Sequence, residues 1–169
     1  MDLPETLAAM HRVTFTWEQY DYLGYAAFWT PQKTTDWLRA WTGNKSLNGT
    51  QFLVFGADGS GGQIAIWLAH LRVALSEQPV VFFGSEGARA VVAQNLADFA
   101  WLLAGGIGPL EAVEYGAREG TAHPGFQAVA RQHFPDSAKT PAQILDQAAA
   151  AFPGFSAYVD GLVQQAPQP

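Results

Sequence analysis

Two glycine-bracketed turns carry the polar groups that could do chemistry in this chain. Gly56-Ala57-Asp58-Gly59-Ser60-Gly61-Gly62 follows one apolar run and Gly84-Ser85-Glu86-Gly87 follows another. The first invites a phosphate-binding reading. Such a loop needs G-x-x-x-x-G-K-[ST], or G-x-G-x-x-G opening a helix, whereas here Gln63-Ile64-Ala65-Ile66-Trp67 continues as a strand and brings no lysine. A calcium loop fails as well, since its later ligand positions fall on Gly62, Ile64 and Ile66 and the closing glutamate is missing. In the second turn Ser85 directly follows Gly84, so the G-x-S-x-G nucleophile elbow is not matched. A hydrolase built from Asp58, Ser85 and Glu86 would require those side chains to converge in space, because such sites are defined by geometry.

The other candidates are weaker. His11, His70, His123 and His133 are widely spaced and form neither H-x-H nor H-E-x-x-H, so no metal centre is expected. Glu111 and Glu114 share a helix face, the pattern of a solvated surface. With no cysteine, disulfides, zinc ribbons and thiol nucleophiles are excluded. The residues therefore read as a binding protein with no catalytic residue, no metal and no cofactor. Asp58 and Glu86 are the candidate partner-binding residues, as charged side chains in turns at hairpin ends, where loops are exposed. Their competing role is to cap their own turns, which aspartate does well.

The elements that must position these turns occupy 51–108. Phe52 to Phe55 and Ile64 to Leu68 read as an antiparallel hairpin across the glycine loop. Val80-Val81-Phe82-Phe83 is a continuous apolar run suited to a strand covered on both faces, and Ala90 to Ala93 is a short return strand. Asn95 caps a helix lined by Leu96, Phe99, Leu102 and Leu103 and stopped by Gly105-Gly106, with Asp98 placed to reach back to the helix start or favour its positive end.

Upstream, Asp2 is expected to cap a short helix carrying Leu3, Leu7 and Met10. Val13, Phe15 and Trp17 then alternate as a strand, and 19–27 fixes neither period. Pro31 ends that segment, Thr34 or Thr35 with Asp36 starts a second helix bearing Trp37, Leu38 and Trp41, and Gly43 stops it. Downstream the chain is helical: Leu110 to Tyr115, Pro124 to Phe134, a helix capped by Thr140-Pro141, and a last one through Phe155 and Leu162.

At 169 residues this is one domain's worth of chain. The expectation is a single domain over 1–163 with a flexible tail over 164–169. Hydrophobic residues make up 49% and charged residues 14%, which excludes a disordered chain. The 6 Trp, 11 Phe and 5 Tyr suit a large core, with room for one or two tryptophans at an interface. Nine basic against 15 acidic residues give a net charge of -6 without any basic cluster, which argues against nucleic acid and for a basic protein partner. No signal peptide or membrane-length apolar run is visible, so the expected setting is the cytoplasm.

The string Val54-Phe55-Gly56-Ala57-Asp58-Gly59-Ser60-Gly61-Gly62, with Ala65-Ile66-Trp67, Pro79 to Phe82, Gly84 to Gly87 and Asn95 to Phe99, resembles the SUKH superfamily. That group includes homologues of the yeast cell-wall assembly regulator, and many bacterial members look like immunity proteins for polymorphic toxins. The resemblance covers roughly 50–112, and the region before Thr34 is short and atypical for it. It implies an α+β fold, a twisted and mostly antiparallel sheet with helices packed around it and a helical C-terminal third. It also implies action by binding, with no common catalytic residue to carry over. The expected function is neutralisation of a cognate toxin, expected to be basic, by direct binding. The alternative is a regulatory or scaffold module that contacts other proteins without any toxin.

Overall fold

The computed structural model describes residues 2–16, 20–118 and 120–164. Among the described residues five strands form one antiparallel meander in the order β1 (Leu23–Gly24), β2 (Phe52–Ala57), β3 (Gln63–Trp67), β4 (Val80–Phe83) and β5 (Arg89–Ala93). Seven helices surround it among the described residues: α1 (Glu5–His11), α2 (Pro31–Thr42), α3 (Leu96–Ala104), α4 (Pro109–Tyr115), α5 (Pro124–His133), α6 (Pro141–Ala151) and α7 (Phe155–Gln164). The fold is α+β with a helical C-terminal region, as the sequence leads one to expect.

Strand side chains alternate between faces, and here both faces are covered. Phe55, Ile64, Ile66, Val80, Phe82 and Val92 pack with α1, α3 and α5 in one apolar cluster. Phe52, Val54, Ala65, Val81, Phe83 and Val91 belong to a second, with Leu38 of α2 and Phe155 and Val159 of α7. This is why β4 reads as an unbroken apolar run: each of its four side chains is buried, two to each side. Neither face could be left to water.

Helix ends follow local chemistry. The Asn95 side chain accepts from the Asp98 N–H at 2.8 Å and caps α3. Thr140 and Gln143 exchange the two bonds of a capping box at the start of α6. Gly43 ends α2 in the left-handed region at φ 72°.

Several expectations are corrected upstream of β2. Asp2 does not cap α1, whose N-cap is Pro4 without any side-chain bond. Residues 13–16 are irregular rather than a strand, because the edge of β2 is already taken: Tyr25 N–H donates to Phe55 O at 2.8 Å and Trp29 N–H to Val54 O at 2.9 Å. Phe15 instead packs as a ring against Tyr20 and Phe126. Trp17, the expected end of that strand, lies outside the described residues. Helix α2 begins at Pro31, a turn earlier than the Thr34–Asp36 signal suggests, with Thr30 Oγ1 accepting from Lys33 N–H at 3.2 Å. Proline at the first helical position needs no N–H partner, so it opens this helix instead of ending what precedes it. The expected tail over 164–169 falls almost wholly outside the described residues, α7 running to Gln164.

Among the described residues no single helix is long and apolar enough to cross a membrane.

Candidate functional site

In an antiparallel meander the β2–β3 and β4–β5 turns leave the same end of the sheet, and the structure ties them together. Ser60 Oγ lies 3.2 Å from Ser85 Oγ. Ser60 also bonds the Asp58 carboxylate, at 2.9 Å to Oδ1 and 3.0 Å to Oδ2. A hydroxyl has one proton. Since the Ser60 proton goes to the carboxylate, Ser85 must be the donor to Ser60.

Asp58 is only 5% exposed. Its Oδ1 accepts the Gly62 N–H at 2.7 Å, and its own N–H donates to Gly62 O at 3.1 Å. The side chain thus holds the loop shut in the manner of an Asx turn. Glycine at 62 is required by close approach, since a Cβ there would sit 2.7 Å from the Phe82 ring and 2.8 Å from Asp58 Oδ2. Glu86 differs. It is exposed, and its carboxylate makes no hydrogen bond or ion pair with any described residue. Behind it the β4–β5 turn is anchored by Trp41, whose Nε1–H donates to Gly84 O at 2.9 Å.

Asp58 and Ser85 are therefore brought together through Ser60, and Glu86 stands apart from that string. As a catalytic arrangement it has a hydroxyl pair and a carboxylate already committed to backbone and side-chain donors. The four histidines lie elsewhere: His11 bonds Tyr25 O, His70 sits beyond β3, His123 caps α5 and His133 ends it. No described group of three or more His, Asp or Glu residues is arranged to hold a metal ion.

Two carboxylates join this end that the sequence did not single out for it. Asp21 Oδ1 accepts the Gly59 N–H, clasping the glycine loop from a segment 38 residues earlier. Glu111 of α4 is half-buried, where Glu114 is exposed, so the solvated-pair reading holds for Glu114 alone. A Cβ at Gly108 would fall 2.3 Å from Glu111 Oε2, so glycine is what lets the carboxylate lie against the chain. Burial raises the Glu111 carboxyl above its ordinary value, and the Asp21 and Asp58 charges push the same way, against the backbone N–H groups of Glu111 and Asp21. Tyr20 is pushed up to about 12 by its burial and by the Glu111 charge, and its hydroxyl donates to Leu103 O at 2.7 Å.

The sign of the Glu111 effect is definite. Between its ordinary value of 4.5 and its raised value, the folded chain holds a proton that the unfolded chain has released. That contribution to stability is complete below pH 4.5 and is lost as pH rises through the folded value. Glu111→Gln should therefore raise the urea midpoint at pH 7 and give no gain at pH 4. An equal gain at both pH values would show that charge is not the cause.

The end of the sheet is thus an acidic rim tied by hydrogen bonds: Asp58 and Asp21 hold the β2–β3 loop, Ser60 and Ser85 join it to the next turn, and Glu86 faces solvent. Comparison of the chain with protein-family models, curated proteins and solved structures gives no match.

Proposed function

We propose that the chain is an immunity-type binding protein that neutralises a cognate toxin by occluding it, and that the acidic rim is its contact surface. The observation that carries the reading is the clasped pair of turns: an unpartnered Glu86 stands on a turn anchored by Trp41 and joined through Ser85 and Ser60 to a loop that Asp58 and Asp21 hold. A loop already held in one conformation loses little entropy on binding. A net charge of -6 attracts a basic partner and speeds the encounter. Resemblance to the SUKH superfamily favours action by binding. In this reading Glu86 contacts the partner and Asp58 positions the loop.

Cells expressing the toxin encoded beside this chain should survive when the chain is co-expressed and die without it. Equal killing in both cases rejects the proposal. Glu86→Lys should slow association with that toxin about tenfold at low salt, with the difference shrinking toward 1 M salt as charges are screened. Stopped-flow measurements over a salt series read this directly, and a salt-independent effect would place Glu86 outside the contact. A regulatory or scaffold module could use the same rim. It predicts a stable complex with a non-toxin protein and no effect on killing.

A further inference from the structure

Tyr25 and Trp29 form an aromatic ledge along the outer edge of β2, beside the acidic rim. Their rings are nearly parallel, at 18° with centroids 5.5 Å apart. Both residues are half-buried, and both are fixed from behind. Their backbone N–H groups donate to Phe55 O and Val54 O, the Tyr25 hydroxyl donates to Gln63 Oε1 at 3.0 Å, and the Trp37 ring braces Trp29 at 6.2 Å. Gln63 in turn donates to Gly61 O at 3.0 Å, so one chain of bonds joins the ledge to the glycine loop. Burial raises the Tyr25 phenol above its ordinary value, the Gln63 bond opposes this, and the Asp58 charge adds to it, which puts the field of a rim carboxylate on the ledge.

A cation already occupies these rings. Lys33 Nζ stands 4.0 Å from the Trp29 ring centroid and 5.7 Å from that of Tyr25. Among the described residues this ammonium has no carboxylate or carbonyl partner, and Lys33 is exposed. It also sits in the first turn of α2, the positive end of the helix, where a cation is disfavoured. The rings are what hold it. An exposed contact between a cation and a ring face is weak enough to exchange for another. A guanidinium suits such a ledge better than an ammonium, because it is planar, stacks on aromatic faces and is more weakly hydrated.

We infer that the Tyr25–Trp29 ledge is the anchor site for an arginine side chain of the partner, and that Lys33 is the built-in cation this arginine displaces. This role rests on the reading of the rim as the surface that meets a basic protein. The net charge of -6 and the carboxylates at this end of the sheet draw such a partner in, but charge alone selects neither a residue nor an orientation. An arginine stacked on two ordered rings selects both, and Trp, Tyr and Arg are the residues that anchor protein interfaces. Trp29 then takes the interface role for which six tryptophans leave room.

An acetylated and amidated tetra-arginine peptide tests the ledge with this chain alone. In ¹³C-labelled protein at low salt, the Lys33 Cε–H signals, shifted upfield by the two rings, should move saturably toward the position of a free lysine as the peptide is added. Tetra-lysine of equal charge should bind at least about twofold more weakly. Lys33→Gln removes the competing cation, so it should tighten arginine-peptide binding about 2- to 5-fold more than Lys45→Gln, which removes the same charge beyond the far end of α2. Trp29→Ala should weaken binding by a similar factor. Lys33→Gln replaces an exposed side chain, so its result stands whether or not the alanine variant folds. Lys33 signals that stay in place while the peptide binds, equal affinity for the two peptides, or equal gains from the two glutamine variants would each overturn the assignment and leave basic chains held by the charge of the rim alone. The killing assay, which decides whether the partner is a toxin, is read apart from all of these.

Discussion

Replacing Phe83 by alanine lowers the free energy of unfolding by about 3–5 kcal/mol, a large share of the roughly 5–15 kcal/mol by which a domain is stable. Phe83 is fully buried at the end of β4. Four rings meet it, Trp37 at 5.4 Å and Trp41 at 5.2 Å from α2, Phe52 at 5.2 Å from β2 and Phe155 at 5.9 Å from α7. All four are tilted steeply to it, the edge-to-face arrangement that adds to simple burial. The cost of a cavity depends on whether its walls can close. Here they belong to three separate elements, and Trp41 is held in addition by its bond to Gly84 O, so collapse is resisted and the loss should fall in the upper part of the range. Phe83→Leu retains most of the volume and should cost no more than about 1.5 kcal/mol. Urea unfolding followed by tryptophan fluorescence measures both. A loss below about 1 kcal/mol for the alanine variant would mean that the rings close over the gap and that this cluster is plastic.

The same residues show what a sequence can disclose. Phe83 and its neighbours were legible because a run of four apolar β-formers has few places to go except a strand buried on both faces, and Asn95 and Thr140 were legible because helix caps act on backbone groups two or three residues away. Legibility fades with the range of the interaction. Strand β1 is two residues long and exists only because the edge of β2 is open to it; nothing within 19–27 could announce that. Asp21 takes its role from a backbone N–H on a distant loop. The burial of Glu111 depends on the absence of a side chain at Gly108, and its raised carboxyl on that burial and on the charges of Asp21 and Asp58, distant in sequence. Asp58 was found as a polar residue in a turn, but its sequence context could not say whether its carboxylate faced solvent or its own loop; the Gly62 and Ser60 bonds decide that.

Removing the cation at position 139 should be nearly as damaging as opening the aromatic cluster, although no apolar contact is lost. Asp98 sits in the first turn of α3, 1% exposed, and Lys139 Nζ donates to its Oδ1 at 2.7 Å. The other oxygen, Oδ2, is buried without a partner. The carboxylate does lie in the first turn of α3, at the positive end of the helix as expected, but it makes no bond back to the helix start and is paired across 41 residues with the segment leading into α6. Lys139 thus tethers the helical C-terminal region to α3, alongside the Trp101 Nε1–H bond to Phe134 O at 3.0 Å and the Gln94 bond to Gln147 O at 2.8 Å. Lys139→Met preserves the aliphatic stem and leaves the carboxylate buried alone, a change that costs about 3–5 kcal/mol for a wholly buried pair. The Lys139 side chain is 27% exposed, so water reaches the site and the expected loss is at the lower end, about 3 kcal/mol. A double-mutant cycle separates this penalty from simple loss of packing. Asp98→Asn removes the charge that needs a partner, so adding Lys139→Met to it should cost at least about 1 kcal/mol less than Lys139→Met alone. Strict additivity would show that the ion pair contributes no coupling and that the tether acts through the lysine stem. With coupling, the pair explains how a sheet core legible in 51–108 fixes the position of a helical third whose own faces are mostly small and polar.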